Sequence, residues 1–294
     1  MEKNIGFLGL GKMGLPMARH LKEKGHNVQG FDPSSERRAT AAASAIVIAQ
    51  NAERLVIESQ VIVSSLPDDA ALEATARLIA ANAKPGTIYI DTSTVSIDSS
   101  ARTFALLQAA DITYLRSTVS GNNVMAEAGQ LTVMVSGDRA AYDESSSIFS
   151  CWGPTCFYLG GEEQARLMKL VVNLMIMMTS GMLAEALTLG RKGGLAWEDM
   201  WKVIASSAVA SPIVKAKSVM LGKRDFSPTF TVEQMRKDVG LILNAGSSLN
   251  VPLGLTALAA QWLSSAAAQG ASGEDYASVI KIVEQAAALD SNVV

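Results

Sequence analysis

Hydrophobic and polar positions follow two different patterns along the chain. Up to about residue 160, short apolar runs alternate with helical periodicity, which predicts buried parallel strands joined by crossover helices. After Gly160 and Gly161 the sequence shows helical periodicity alone. The predicted strands cover residues 5–8, 28–31, 61–65, 87–90, 112–115, 131–135 and 155–159. The predicted helices of the second part cover residues 163–192, 196–206, 231–248, 252–268 and 275–288.

These patterns predict an α/β domain followed by an all-α domain. We place the boundary after residue 162, so that residues 1–162 form the α/β domain and residues 163–294 form the helical domain. The helix predicted over residues 163–192 would be roughly 45 Å long at about 1.5 Å per residue. We therefore expect a long interdomain helix to join the two domains.

The first predicted strand leads directly into a glycine motif, Gly9-x-Gly11-x-x-Gly14, at the start of a helix. In a dinucleotide-binding unit the first glycine permits a tight turn, the second lets the backbone approach a pyrophosphate, and the third allows close helix packing. The helix start adds unpaired N–H groups and the positive end of a dipole. The order of elements therefore predicts a Rossmann domain, with cofactor contacts from Gly9, Leu10, Gly11, Lys12, Met13 and Gly14.

An acidic residue, Asp32, ends the second predicted strand, 18 residues after Gly14. A carboxylate at this point hydrogen-bonds the adenosine ribose and repels a 2′-phosphate, which predicts NAD rather than NADP. Arg37 and Arg38 follow closely and could hold a 2′-phosphate, but we prefer to interpret them as solvated charges on the next helix. NADP therefore stays open as the alternative cofactor.

Composition refines this picture mainly by exclusion. A net charge of −3 offers no basic surface for nucleic acid, and two cysteines without a nearby histidine favour neither a disulfide framework nor a metal site. The most apolar segment, residues 167–189, contains Lys169, Asn173 and Glu185, which argues against a membrane span. The N-terminus lacks the layout of a signal peptide. We therefore expect a cytoplasmic protein with reduced thiols and without a nucleic-acid or membrane partner.

Lys169 and Asn173 are the polar residues that interrupt the longest apolar helix. They are four residues apart and so lie on one face, within a helix that is apolar on nearly every side and is therefore expected to be buried. Desolvation lowers the pKa of an ammonium toward neutrality, which suits a general acid/base. Spacing alone nevertheless favours a packed lysine whose head reaches solvent. The two histidines, His20 and His26, lie near the first helix, so we do not expect a histidine acid/base.

Several segments match the motifs of one enzyme family in order along the chain. They are FLGLGKMGLPMARHL at 7–21, DTST at 91–94, TVSGN at 118–122 with EAGQLTVMVSG at 127–137, Lys169 with Asn173, and Lys237 with Asp238. On these residues, and over essentially its whole length, the chain resembles the β-hydroxyacid dehydrogenase family, which includes 3-hydroxyisobutyrate and tartronate semialdehyde dehydrogenases. The resemblance implies the two-domain fold predicted above, a small carboxylate-bearing substrate, and a homodimer or homotetramer formed through the helical domain.

The resemblance also implies catalytic roles. Lys169 would be the general acid/base at the hydroxyl or carbonyl oxygen, with Asn173 helping to hold that oxygen. Lys237 would lie across the cleft, near the nicotinamide and the substrate. Without the family, Lys237 and Asp238 would be interpreted as a solvated charge pair on a helix.

Further positions acquire binding roles in the same way. Ser120 and Gly121 would hold the substrate carboxylate through a hydroxyl and a backbone N–H, with Asn122 beside them. The nicotinamide half of the cofactor site would be lined by Leu66, Pro67 and Thr94.

The chain departs from the family pattern in the substrate half. Arg116-Ser117-Thr118 stands where the family usually has aspartate-alanine-proline, Asn122 replaces a glycine, and Val172 replaces the first of two asparagines. These differences leave the substrate open, and Asn122 suggests a smaller or differently polar acid.

We therefore predict an oxidoreductase that transfers a hydride between NAD and a small β-hydroxyacid, 3-hydroxyisobutyrate or a related short hydroxyacid or semialdehyde. One alternative is an NADPH-dependent imine reductase, which Lys169 and Asp32 disfavour. The other is a catalytically silent dinucleotide-binding platform, against which the combination of Lys169, Asn173, Ser120 and Lys237 argues.

Overall fold

The computed structural model describes residues 3–290 and shows two compact units, with the boundary between Lys169 and Leu170. The first unit contains one eight-stranded sheet. Its strands are β1 Asn4–Leu8, β2 Asn27–Phe31, β3 Val47–Ile48, β4 Val61–Ser64, β5 Ile88–Asp91, β6 Thr113–Ser120, β7 Thr132–Gly137 and β8 Thr155–Tyr158. Its helices are α1 Gly14–Glu23, α2 Ser35–Ala43, α3 Ala52–Glu58, α4 Asp69–Asn82, α5 Ile97–Gln108, α6 Asn123–Glu127, α7 Arg139–Glu144 and α8 Ser146–Phe149.

The strand order is β3-β2-β1-β4-β5-β6-β7-β8. The strands from β3 to β6 are parallel, β7 is antiparallel to β6, and β8 is parallel to β7. Because chain order reverses between β1 and β4, this pair marks the switch point at which an open α/β sheet binds its ligand. The carboxyl ends of β2, β1, β4, β5 and β6 all lie along that one edge.

Both faces of the sheet are covered, which explains the nearly continuous apolar runs of its central strands. Every residue of β4 and β5 is buried. Successive residues alternate between two hydrophobic clusters, since Val61 and Val63 belong to one and Ile62 to the other. The first cluster also contains Met17 of α1, and the second contains Leu72 of α4.

The seven strands predicted from periodicity are all present, but the one predicted over residues 112–115 runs on to Ser120. Residues 116–120 extend the strand because they pair in antiparallel fashion with β7. Their mostly polar side chains gave no apolar pattern from which this pairing could have been predicted. The pattern missed β3, α3, α6, α7 and α8, which span two to seven residues each and are too short to show a period.

The second unit is helical. Helix α9, Gln164–Lys192, crosses the boundary between the units and is followed by α10 Trp197–Ser206, α11 Pro212–Gly222, α12 Val232–Ser248, α13 Gly254–Ala268 and α14 Val279–Ala286. The pattern missed α11, whose start is marked by Pro212 and capped by Ser211. A buried carboxylate, Glu284, accepts hydrogen bonds from Arg191 and Arg224 within this unit.

Helix α9 is not buried on nearly every side as its composition suggests. An apolar row along it is exposed, with side chains between 37% and 76% accessible at Leu167, Met168, Val171, Met175, Met182 and Leu189. In the described part of the chain α9 is the one helix long and apolar enough to cross a membrane, a property that core helices of soluble proteins share. The boundary predicted after residue 162 precedes α9, whereas the compact units separate inside it. The division of roles between the two ranges stays a prediction.

Candidate active site

The glycine loop after β1 has the shape expected for a phosphate cradle. Gly9 has φ +91°, and a Cβ there would lie 2.3 Å from the carbonyl oxygen of Ser65. A Cβ on Gly14 would lie 1.9 Å from the carbonyl oxygen of Gly9. At Gly11, by contrast, no described atom outside its chain neighbours would lie closer than 3.8 Å. The turn itself requires the outer two glycines, and the middle one leaves open space for a ligand.

The start of α1 is available for an anion. Among the described residues no side chain caps α1, whereas α2, α3, α4 and α5 are capped by Ser34, Asn51, Asp68 and Ser96 respectively. The first N–H groups of a helix need a partner, and a phosphate oxygen satisfies them well. The open cradle and the uncapped helix together fit the pyrophosphate of a dinucleotide.

Asp32 is buried at the end of β2 and braces this loop. One of its carboxylate oxygens accepts from the N–H of Leu10 at 2.9 Å, and the other accepts from the N–H of Ser34 at 2.9 Å. The exposed Arg37 lies 3.5 Å from the first of these oxygens. Arg38 is not a solvated charge, because its Nη1 donates to the backbone carbonyl of Asp32 at 2.6 Å. The negative charge predicted beside the adenosine ribose is therefore present, with one arginine next to it.

The loops after β4 and β5 are tied together beside the glycine loop. The N–H of Leu66 donates to Ser93 Oγ at 2.8 Å, and Ser93 Oγ donates to Asp91 at 2.5 Å. Thr94 is half-buried in the second of these loops, and Pro67 is exposed in the first. The residues predicted to line the nicotinamide thus lie on adjacent loops at the ligand-binding edge of the sheet.

The first turn of α9 is joined to the same loops by Arg166, a residue that sequence reasoning missed. Its buried guanidinium donates through Nη2 to the Asp91 carboxylate and through Nη1 to the Ser93 carbonyl. Lys169 follows three residues later and is half-buried. An arginine in the first turn of a helix lies at the positive end of the helix dipole, which is unfavourable for a cation. This unfavourable position was the one feature of the sequence that could have indicated that Arg166 has an acidic partner elsewhere in the fold.

The predicted carboxylate-binding segment lies at the carboxyl end of β6. Ser120 is half-buried, and Gly121 has φ +138° with its absent Cβ directed at Leu131, 2.7 Å away. Asn122 caps α6, since its Oδ1 accepts from the N–H of Met125 at 3.1 Å. The amide that distinguishes this chain from its family therefore has a structural use.

The arginine that departs from the family pattern also has a structural explanation. Arg116 is buried, with its guanidinium carbon 4.7 Å from the ring centres of both Phe104 and Tyr114. Its Nε donates to Glu163 at 2.9 Å. The guanidinium charge is compensated within the fold by Glu163, which gives Arg116 a structural role.

In the second unit, two motifs that are distant in sequence meet. Asn173 of α9 is buried, and its Nδ2 donates to Asp238 of α12 at 2.5 Å. The other Asp238 oxygen lies 3.2 Å from Lys237 Nζ, an ion pair by distance that lacks hydrogen-bond geometry. Asp238 therefore links the two predicted site residues of this unit, a role not assigned from the sequence.

Comparison with known proteins places these features in context. A family model described as the NAD binding domain of 6-phosphogluconate dehydrogenase matches residues 4–160. A second, described as NAD-binding of NADP-dependent 3-hydroxyisobutyrate dehydrogenase, matches residues 164–283. The 2-(hydroxymethyl)glutarate dehydrogenase of Eubacterium barkeri is 35% identical over 293 residues, 97% of each chain.

Solved structures agree with these matches. The 3-hydroxyisobutyrate dehydrogenase of Mycobacterium tuberculosis, solved with L-serine, has a TM-score of 0.88 at 27% identity and covers 96% of this chain and 99% of its own. An imine reductase from a Pseudomonas species has a TM-score of 0.65 at 21% identity, covering 96% and 99% of the two chains. At that identity the second likeness shows a shared fold alone.

Substitution of single glycines should distinguish the glycine needed for cofactor binding from the one needed for the fold of the turn. We expect the unfolding temperature of Gly11→Ala to stay within about 2 °C of that of the unsubstituted protein, because space is open at this position. Its affinity for NADH should fall at least about tenfold, because the added methyl group would occupy space meant for the pyrophosphate. Gly14→Ala should lose about 1–3 kcal/mol of unfolding free energy through overpacking. Thermal unfolding and fluorescence titration with NADH measure both effects. Unchanged affinity in Gly11→Ala would contradict the cradle.

Proposed function

The chain belongs to the β-hydroxyacid dehydrogenase family, and from this membership we propose that its substrate is a 3-hydroxypropanoate bearing a substituent at carbon 2. The protein is an NAD(P)-dependent hydroxyacid dehydrogenase, and its similarity to named dehydrogenases extends over both units. 2-(Hydroxymethyl)glutarate, 3-hydroxyisobutyrate and L-serine, which occur in the names of its relatives, share a CH₂OH group on the carbon that carries a carboxylate. That shared group is the chemical basis of the proposal.

In the proposed reaction Lys169 accepts the hydroxyl proton while the carbinol C–H bond loses a hydride and the C–O bond becomes a carbonyl. When bound, NAD supplies the hydride acceptor. Reduction of the resulting semialdehyde reverses each transfer, with the Lys169 ammonium returning the proton. General acid/base help of this kind is typically worth about 10²–10⁴-fold in rate.

The observation that carries the proposal is the position of Lys169. The helix that bears it is joined through Arg166 to the loops that contain Leu66 and Thr94. The lysine is half-buried rather than fully solvated. We propose that Ser120 Oγ and the Gly121 N–H hold the carboxylate at the same sheet edge.

Residues of the second unit are proposed to assist. The buried Asn173 retains one amide hydrogen beyond its bond to Asp238, and this hydrogen would donate to the reacting oxygen. Lys237 would contribute a positive charge toward the carboxylate. The Asp238 contacts support both assignments by limiting the side-chain freedom of the two residues.

For the cofactor we propose NAD, held by the segment from Gly9 to Gly14 and by Asp32, with Leu66, Pro67 and Thr94 beside the nicotinamide. The buried Asp32 carboxylate supports this preference, because a second negative charge from a 2′-phosphate would be repelled. Arg37 is the residue that would favour NADP.

We propose a cytoplasmic homodimer or homotetramer. The exposed row on α9 supports self-association, because its apolar side chains recur at intervals of seven residues at Met168, Met175, Met182 and Leu189. Exposed apolar side chains that share one face of a helix offer surface that a second copy of the chain could bury.

A substrate panel tests the proposed function. We expect NADH to form with 3-hydroxyisobutyrate, 2-(hydroxymethyl)glutarate or L-serine, and to form more slowly with acids that carry the hydroxyl at carbon 2. Parallel reactions with NADP, and with cyclic imines and NADPH, measure the alternatives. Tight NADH binding without turnover of any acid or semialdehyde would favour the silent platform instead.

Replacement of the proposed acid/base should separate catalysis from binding. Lys169→Ala is expected to lower kcat at least about 10²-fold while its affinity for NADH stays within about threefold, because the lysine acts on the substrate proton. Lys202→Ala, at a solvent-exposed lysine of α10, is the matched control and should keep full turnover. Near-normal kcat in Lys169→Ala would contradict the assignment.

Cofactor choice can be tested at Asp32. Removing one charge near a phosphate changes their interaction by about 1–4 kcal/mol, so Asp32→Asn should raise the NADP-to-NAD ratio of kcat/KM at least about tenfold. Glu36→Gln, an exposed carboxylate in the first turn of α2, is the control. A ratio that stays the same in Asp32→Asn would show that another residue selects the cofactor.

The association surface can be tested by placing a charge on it. Met175→Glu should lower the molar mass measured by light scattering after size-exclusion chromatography, because a carboxylate would be desolvated at the contact. Val47→Glu introduces the same charge at an exposed position of β3 and should leave the mass unchanged. A monomeric unsubstituted protein would refute the association.

A further inference from the structure

A buried network at the carboxyl edge of the sheet joins the helix of Lys169 to the loops beside the nicotinamide. Its centre is the ion pair between Arg166 and Asp91, whose side chains are 1% and 0% exposed. We propose that Arg166 is a positioning residue, which sets Lys169 relative to the two loops for hydride and proton transfer. This inference rests on the proposed function.

The guanidinium of Arg166 contacts three elements at once. Its Nη2 donates to the Asp91 carboxylate and, at 2.8 Å, to the hydroxyl of Tyr114 on β6. Its Nη1 donates to the carbonyl of Ser93, and its Nε to Ser100 Oγ of α5 at 3.3 Å. A planar group with several fixed donors holds its partners in one geometry, which a lysine could not do.

Asp91 connects the Arg166 guanidinium to the loops after β4 and β5. Its second oxygen accepts from Ser64 Oγ and Ser93 Oγ, each at 2.5 Å. Ser93 Oγ in turn accepts from the N–H of Leu66 at 2.8 Å. One continuous set of hydrogen bonds therefore runs from the first turn of α9 to both loops that carry the proposed nicotinamide contacts.

Net stability alone gives little reason to bury such a pair. Desolvation of two charges offsets most of their attraction, and apolar replacements of similar volume often fold equally well. The sheet unit contains a second pair, Arg116 with Glu163, that also fastens the chain at the start of α9. Among the described residues Arg166, unlike Arg116, is connected by hydrogen bonds to the loops after β4 and β5. The position of these loops relative to Lys169 matters, because a displacement of about 1 Å between reacting groups can lower a rate by about 10²-fold.

The test replaces the pair without leaving a lone buried charge. Arg166→Met combined with Asp91→Asn is the main variant. The second variant is Arg166→Lys, which keeps the positive charge but lacks the planar group with its several fixed donors. The matched control is Arg116→Met combined with Glu163→Gln, a neighbouring pair of a buried arginine and a half-buried glutamate, whose described side-chain hydrogen bonds join these two residues to each other and not to Asp91 or its loop. All variants are compared with the unsubstituted protein.

Two measurements decide the outcome. In single turnovers at saturating NAD and substrate, both Arg166 variants should transfer hydride about 10–100-fold more slowly, with NADH affinity within about threefold of the unsubstituted protein. In the cofactor-free protein, hydrogen exchange of the amides at residues 93–95 should become faster in the same variants. The control double variant should change neither the rate of hydride transfer nor the exchange at residues 93–95.

Each result supports or overturns the inference. Normal hydride transfer in a folded Arg166 variant, or an equal loss in the control, would show that the pair has a general structural role only. If the double variant does not fold, Arg166→Lys decides alone. If the unsubstituted protein oxidises none of the acids, the proposed function fails, while unchanged exchange at residues 93–95 would overturn the positioning role by itself.

Discussion

The buried ion pair between Asp91 and Arg166 is the interaction on which the link between the first turn of α9 and the loops after β4 and β5 depends. Both charges are removed from water, so each must be compensated by direct hydrogen bonds. Tyr114 and the serines at positions 64, 93 and 100 supply them. Burial raises the pKa of Tyr114 to about 12, so its hydroxyl stays protonated and neutral beside the charged pair. A fully satisfied network of this kind specifies one geometry rather than several.

The position of the pair follows from the topology of the sheet. Asp91 is the last residue of β5, and parallel strands bring its carboxylate to the same edge as the glycine loop after β1 and the end of β6. The first turn of α9 reaches this edge because Ala165 within it and Glu162 just before it are hydrogen-bonded to β6 and β7. Thr118 donates to the carbonyl of Ala165, and Ser136 donates to the carbonyl of Glu162. Binding loops and the proposed acid/base thus share one rigid support.

The local sequence pattern was sufficient to predict most of the fold, but it predicted only some of the interactions at the candidate site. The glycine spacing and Asp32 predicted the turn that the structure contains, because Gly9 and Gly14 are each required by a close backbone contact within a few residues or one strand away. The role of Arg166 and the link between Asp238 and Asn173 were not predicted, because the partners are 75 and 65 residues distant and only the folded chain brings them together. The exposed row on α9 was missed for a related reason. Composition shows that a helix is apolar, but which side is covered depends on the other elements.

The residues that depart from the family pattern bear on substrate choice in a way that only the contacts reveal. From sequence, Arg116 was one of the departures that left the substrate open, and Asn122 suggested a smaller or differently polar acid. In the structure Arg116 is neutralised by Glu163 between two aromatic rings, and the Asn122 oxygen caps α6. Both side chains are used by the fold, so neither is a reason to assign an acid unlike those of the relatives. Discrimination among 2-substituted hydroxypropanoates must therefore depend on groups that meet the substituent, since the carboxylate and the hydroxyl are common to all of them.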